Sequence, residues 1–201
     1  PIQAYAASAD PDTMYLHEAM QQPDQDEFKK AMVKEVGDQV ENHNFKVVHK
    51  SEVPPNAQVL PAVWALKRKR RVATGEVYKW KARLNIDGSK QKHGETFWET
   101  YAPVASWPVI RLLLILIITR KWHTRQIDYV MAYTQAEAET DLLYMKIPRG
   151  FTIEGGEPNE YVLKILRNIY GQKQAGRVSN THLLGKLQEI GFKQSAIMDC
   201  V

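Results

Sequence analysis

A mixed α+β fold is predicted for this chain by three patterns in its sequence. Apolar residues recur at helical spacing after Pro23, and aromatic and cationic residues alternate strictly from Val77 to Leu84. The unbroken apolar run "LLLILII", Leu112 to Ile118, is far short of a membrane span but suits a core helix. The 201 residues are 44% hydrophobic and 25% charged, enough apolar side chain for a sizeable core in one or two domains.

Taken in order, residues 1–23 show little periodicity and read as an extended arm. From Asp24, "DQDEFKKAMVKEVGDQVENHNF" spaces Asp24 and Glu27 as a capping box and sets Phe28, Met32, Val36 and Val40 along one helical face. "FKVVHKSEVPPNAQVLP" then predicts a short strand and a proline-broken loop. In "EVYKWKARL", Tyr78, Trp80, Ala82 and Leu84 fall on one face and Val77, Lys79, Lys81 and Arg83 on the other. "VWALKRKRRV" pairs with it across Thr74-Gly75, giving a basic β-hairpin. "PVIRLLLILIITRKW" predicts a largely buried helix, and "TRQIDYVMAY" a strand adjoining it. Leu183, Leu184, Leu187 and Ile190 read as the core face of a last helix capped by Gly191.

Charge is segregated along the chain. The net charge is +4, but residues 1–45 carry nine acids against three Lys/Arg, and residues 46–92 carry twelve Lys/Arg against three acids. Such asymmetry points to a polyanionic partner for the middle of the chain. The hairpin itself admits three readings: a solvated cationic edge that discourages aggregation, an import-like basic patch in "KRKRR", or a surface for phosphates. One cysteine, Cys200, allows no internal disulfide, and no Cys/His cluster has zinc spacing, so a reducing, intracellular setting is expected. A chain that opens on Pro1 and ends after "SAIMDCV" is expected to be a piece of something longer.

Asp128 is the only charge between Arg125 and Glu137, in an otherwise apolar and aromatic stretch. It reads either as a strand-end or helix-cap aspartate satisfied by backbone donors, or as a carboxylate whose burial a divalent metal makes tolerable.

The blocks "WALKRK", "YKWKARLN", "WETYAPVASWPVIRLLL", "WHTRQIDYVMAY", "LLYMKIPRGF", "LRNIYGQKQAGR" and "LQEIGFKQSAIMDC" stand in this order. Together they closely resemble the reverse transcriptase region of copia-type long-terminal-repeat retrotransposons, from about Asp10 to Val201. The resemblance implies a partial right-hand polymerase fold: a basic β-hairpin as fingers and an incomplete palm sheet packed on helices. It divides the chain into an arm (1–23), an N-terminal helix with a fingers-like region (24–123) and a partial palm (124–201).

For individual positions, the resemblance makes Asp128 the first catalytic aspartate of the palm. With the Tyr129 carbonyl as a further ligand, it would hold two Mg2+ ions, Mn2+ being the alternative, for two-metal nucleotidyl transfer. The amides around Met131 and Ala132 would face the triphosphate. Tyr133 would be the aromatic gate that favours deoxynucleotides, its plain alternative being core filling. Lys67, Lys69, Lys81 and Arg83 would close over the nucleotide phosphates. Gly171 would allow close backbone approach beneath the templating base pair. Lys173, Gln174 and Arg177 would touch template or nucleotide, their plain alternative being a helix N-terminal turn with solvated polar residues. The implied partners are an RNA template, a DNA primer, deoxynucleotide triphosphates and the rest of a Pol polyprotein, with no membrane. The implied location is a cytoplasmic virus-like particle or the nucleus.

The chain departs from the family pattern in two places. No Asp-Asp pair occurs: the aspartates are Asp10, Asp12, Asp24, Asp26, Asp38, Asp87, Asp128, Asp141 and Asp199, all separated. The Tyr-x-Asp-Asp hairpin that completes the family's metal site is therefore missing, as are thumb, connection and ribonuclease H regions. Ser179 stands where the family commonly has a bulky aromatic, as in a decayed copy. Two functional readings remain: a fragment of an RNA-directed DNA polymerase, inactive alone, or a degenerate or domesticated remnant that binds RNA or DNA non-specifically. A truncated sheet that folds poorly and leaves an exposed edge is the third alternative.

Overall fold

Two β-sheets share one apolar core, and the computed structural model describes them over residues 10–153 and 156–195. The first nine residues of the predicted arm, together with Asp199 and Cys200, lie outside the described residues. The order is β1 (Thr13–Met14), α1 (Leu16–Ala19), α2 (Gln25–Glu41), β2 (Phe45–His49), β3 (Gln58–Leu60), β4 (Ala62–Arg70), β5 (Val77–Ile86), α3 (Trp107–Arg120), β6 (Leu143–Lys146), β7 (Tyr161–Ile165) and α4 (Ala175–Glu189). One sheet runs β1-β4-β5, antiparallel throughout; the other runs β2-β7-β6-β3, with β3 and β6 parallel.

The hairpin forms as its alternation requires. Trp64 lies opposite Leu84 and Leu66 opposite Ala82, all four buried, while on the other face Lys67 meets Lys81 and Lys69 meets Lys79. Gly75, at φ +71°, turns the chain between the strands. Helix α2 packs on β5 through Phe28 and Met32. The second sheet closes the same core with Leu143, Met145, Leu163 and Ile165, each at most 1% exposed. Its other face holds a smaller cluster of Val48, Tyr144 and Val162.

Several expectations need correction. The expected capping box at α2 does not form, because the Asp24 carboxylate accepts instead from Arg68 (2.6 and 2.7 Å) and from Trp80 Nε1 (2.6 Å). A bidentate charged donor outcompetes a backbone N–H. The apolar face of α2 also turns polar toward its end: Val40 is exposed, while Gln39 is buried and bonded to Glu35 and Asn44. The described end of the arm is not simply extended, since β1 pairs with β4, and Met14 and Ala19 enter the core.

Helix α3 forms, but none of its residues is buried; Leu112, Leu114, Ile115 and Ile118 are all more than half exposed. A helix apolar on every side buries itself only when elements cover it on every side, and among the described residues none does. The Asp128 segment is likewise no strand. Residues 122–129 have no regular structure and are exposed, because an extended segment becomes a strand only beside a ladder partner. In α4, Leu183, Leu184, Leu187 and Ile190 are not buried, whereas Gly191 (φ +95°) ends the helix as expected. No helix among the described residues is long and apolar enough to cross a membrane.

Candidate functional site

A cleft of about 610 Å³ opens where α2, β5 and the Asp128 segment meet. One wall is β5, presenting Lys79, Lys81 and Arg83; the other is residues 128–131, with Tyr170 between them and Lys34, Glu35 and Asp38 of α2 along one side. The strand period puts the three cations on a single face of β5.

Arg83 is held as a platform. Its guanidinium lies 4.4 Å from the centre of the Tyr170 ring and makes no hydrogen bond or ion pair among the described residues, and the residue lines the cleft. Lys81 is half-buried beside Arg83, Lys69 and Lys79. Burial first, and those neighbouring cations second, push its pKa below the ordinary lysine value. A row of like charges facing one another across two strands is unfavourable until an anion joins it.

Asp128 is exposed at the opposite wall, with no hydrogen bond or ion pair among the described residues. It is neither a helix cap nor a buried carboxylate. Beyond it the chain turns sharply: Met131 takes the left-handed conformation at φ +51°, and residues Ala132–Gln135 form a 3-10 turn. Ser179 on α4 fastens that turn by donating to the Ala132 carbonyl at 3.2 Å. Ser179, with Tyr129, Ala132, His182 and Leu183, lines a second cavity of about 290 Å³.

Tyr133 reaches the cleft indirectly. Its ring packs edge-on against Tyr170 with centroids 4.9 Å apart, so Arg83, Tyr170 and Tyr133 form a continuous stack. Tyr170 escaped the sequence reading. Its only signal was an aromatic directly before Gly171, and its role depends on a fold that brings residue 83 beside residue 170.

The other expected residues divide by place. Lys69 lies half-buried on the same hairpin face, opposite Lys79. Lys67 is paired with Asp10 at 2.7 Å. Gly171 makes its close approach to the protein itself: at φ +94° its Cα faces the Ile86 carbonyl, and Gly88 packs against the Gly171 carbonyl. Lys173 donates to the Gln91 carbonyl at 3.2 Å and covers the Phe97 ring, while Gln174 is 1% exposed and bonded to Gln91 and Thr96. Gln174 is thus buried within the fold, while Lys173 is exposed and bonded back to it. Arg177 pairs with Glu139 and donates to the Glu99 carbonyl.

Among the described residues no three His, Cys, Asp or Glu side chains gather as a metal site. Asp128 is a single carboxylate on the cleft and does not by itself complete a coordination sphere.

A cationic strand and an unpaired carboxylate thus line one open cleft. Comparison with known proteins gives the class. Residues 42–201 match the family described as reverse transcriptase (RNA-dependent DNA polymerase). The chain is 33% identical over 190 residues to the retrovirus-related Pol polyprotein from transposon RE2 of Arabidopsis thaliana, covering 94% of this chain and 12% of that protein. The figures are the same for the Pol polyprotein from transposon RE1. For transposon TNT 1-94 of Nicotiana tabacum they are 31% over 162 residues, covering 81% of this chain and 12% of that protein. No solved structure matches. The chain belongs to the reverse transcriptase family, as a fragment of a copia-type retrotransposon Pol polyprotein, and spans about an eighth of the length of these relatives.

Proposed function

We propose that this fragment supplies the nucleotide-facing part of an RNA-directed DNA polymerase, the hairpin acting as fingers and residues 124–195 as the first part of a palm. The observation that carries this reading is the cleft itself, which Asp128 and the unpaired Arg83 both line. Lys79, Lys81 and Arg83 meet the phosphates of an incoming deoxynucleotide triphosphate, where fixed cations counter charge that grows during transfer. Tyr133, buttressed by Tyr170, limits the space beside the sugar. Asp128 and the Tyr129 carbonyl supply part of the oxygen set for Mg2+ or Mn2+, which assists attack of a primer hydroxyl on the nucleotide. RNA template, DNA primer and the remainder of the Pol polyprotein are the partners on this reading.

The test begins with the parent transcript, sequenced for the few dozen codons after Val201. An open frame encoding Tyr-x-Asp-Asp supports the reading, and a stop codon or altered motif removes the polymerase activity. In a polymerase-active chain carrying that motif, Asp128→Asn abolishes DNA synthesis on a primed RNA template while leaving nucleic-acid binding intact. Loss of folding in that variant would instead make Asp128 structural.

A further inference from the structure

We infer that Asp10 and Asp12 form an internal competitor for polyanions: they occupy Lys67 and Arg70 of the basic hairpin and are exchanged for phosphates when a nucleic-acid strand binds there. The inference rests on the reading of the hairpin as a nucleic-acid surface and adds how access to it is regulated.

The geometry begins with β1, only two residues long, which lies along β4 with Thr13 opposite Lys67 and Met14 opposite Leu66. Just before it, the Asp10 carboxylate accepts from its own backbone at Asp12 (3.0 Å) and from Thr13 Oγ1 (2.9 Å), which aims it at Lys67 Nζ, 2.7 Å away. Asp12 takes the guanidinium of Arg70 through two bonds, at 2.7 and 3.0 Å, while its carbonyl accepts from the Arg68 amide. The hydrogen bond from Lys67, followed by those from Asp12 N and Thr13, lowers the Asp10 carboxyl to about 2, so it carries its full charge at neutral pH.

The three acid-base pairs along β4 are not equivalent. Arg68 and Asp24 are only 12% and 24% exposed, and Trp80 adds a third donor, so this pair belongs to the core. Lys67 and its partner Asp10 are 50% and 39% exposed, and Arg70 is 46% exposed beside a more sheltered Asp12 at 17%. Pairs whose cation is that exposed are screened by salt, the single Lys67 bond more readily than the two-bond Arg70 pair. A phosphate backbone, presenting several charges at once and releasing counterions, displaces them where a single anion does not. The acidic start of the chain thus masks two cations of the segment that follows it.

The test is a salt titration of binding to a single-stranded oligothymidylate, using the full chain. Relative to wild type, Asp10→Asn/Asp12→Asn should bind more tightly, and its log–log salt slope should steepen by about 0.7 for each of the two cations freed. Asp10→Glu/Asp12→Glu, which keeps both charges, should hold the wild-type slope. Glu157→Gln/Glu160→Gln, an equal charge change at exposed positions elsewhere, should also hold it. If the double asparagine variant fails to fold, Asp10→Asn alone should steepen the slope by about 0.7. A folded asparagine variant with wild-type slope, or a glutamine control that steepens as much, overturns the competitor while leaving the nucleic-acid reading in place. Salt-insensitive binding by every variant overturns both.

Discussion

Gly171 shows how little room the site leaves at the scale of one residue. A Cβ at this position would strike the Ile86 carbonyl, and φ +94° is a conformation that L side chains rarely adopt. Gly171→Ala should therefore lower the urea midpoint, with a loss greater than about 1 kcal/mol. Asp24 gives a second prediction. Its carboxyl is held well below the ordinary value of 3.8, chiefly by the Arg68 hydrogen bond and also by Trp80. Because the folded pKa is depressed, this stabilisation is complete above the unfolded value and is lost as pH falls through the folded one. Wild-type stability should drop as pH is lowered below about 4, and Asp24→Asn should flatten that part of the profile while lowering stability at neutral pH; chemical denaturation at stepped pH measures both. The sequence marked Asp24 as special and assigned it the wrong partner, because a helix-capping pattern is local and Arg68 lies 44 residues away. Asp128 was singled out for a different reason, its lack of charged neighbours, yet the chain alone did not tell that it would be exposed.

At the scale of elements, legibility followed the need for partners. The β4–β5 hairpin could be read from its period-two pattern and turn glycine, which lie in one stretch of chain, though not its exact register, which shifts between Lys69 and Arg70. Strands β3, β6 and β7 escaped notice, because short apolar runs such as "LLYMKI" and "YVLKIL" suit a strand or a buried helix equally. Helix α3 was recognised but misplaced, because hydrophobicity reports that a face wants cover and not that it has any. Its Leu112, Leu114, Ile115 and Ile118 are exposed, as are Trp122, Ile127 and Val130 in the segment that follows. Surfaces of that kind drive association. Leu114→Glu/Ile118→Lys should reduce self-association in sedimentation velocity without lowering the urea midpoint, since neither residue packs against the core. A lowered midpoint would show that α3 is covered in solution.

At the scale of the whole molecule, charge segregation was visible in the sequence, but its meaning changed with the fold. An acidic start and a basic middle suggested a surface open to polyanions, and the fold sets aspartates 10, 12 and 24 directly on the basic strand. What remains uncompensated is the part of the hairpin face where Lys69 opposes Lys79 and Lys81 stands beside Arg83. That face couples ligand binding to the melting of the protein. A ligand bound only by the folded chain stabilises it by mass action, by about 2.7 kcal/mol when its free concentration is a hundred times its Kd. Heparin or oligothymidylate should therefore raise the melting temperature in a concentration-dependent way, and high salt should erase the gain; a melting temperature indifferent to either polyanion would show that the opposed lysines take up no phosphate. Preparations carrying residual nucleic acid would melt higher than clean ones, so the apparent robustness of this chain would depend on how thoroughly it had been stripped.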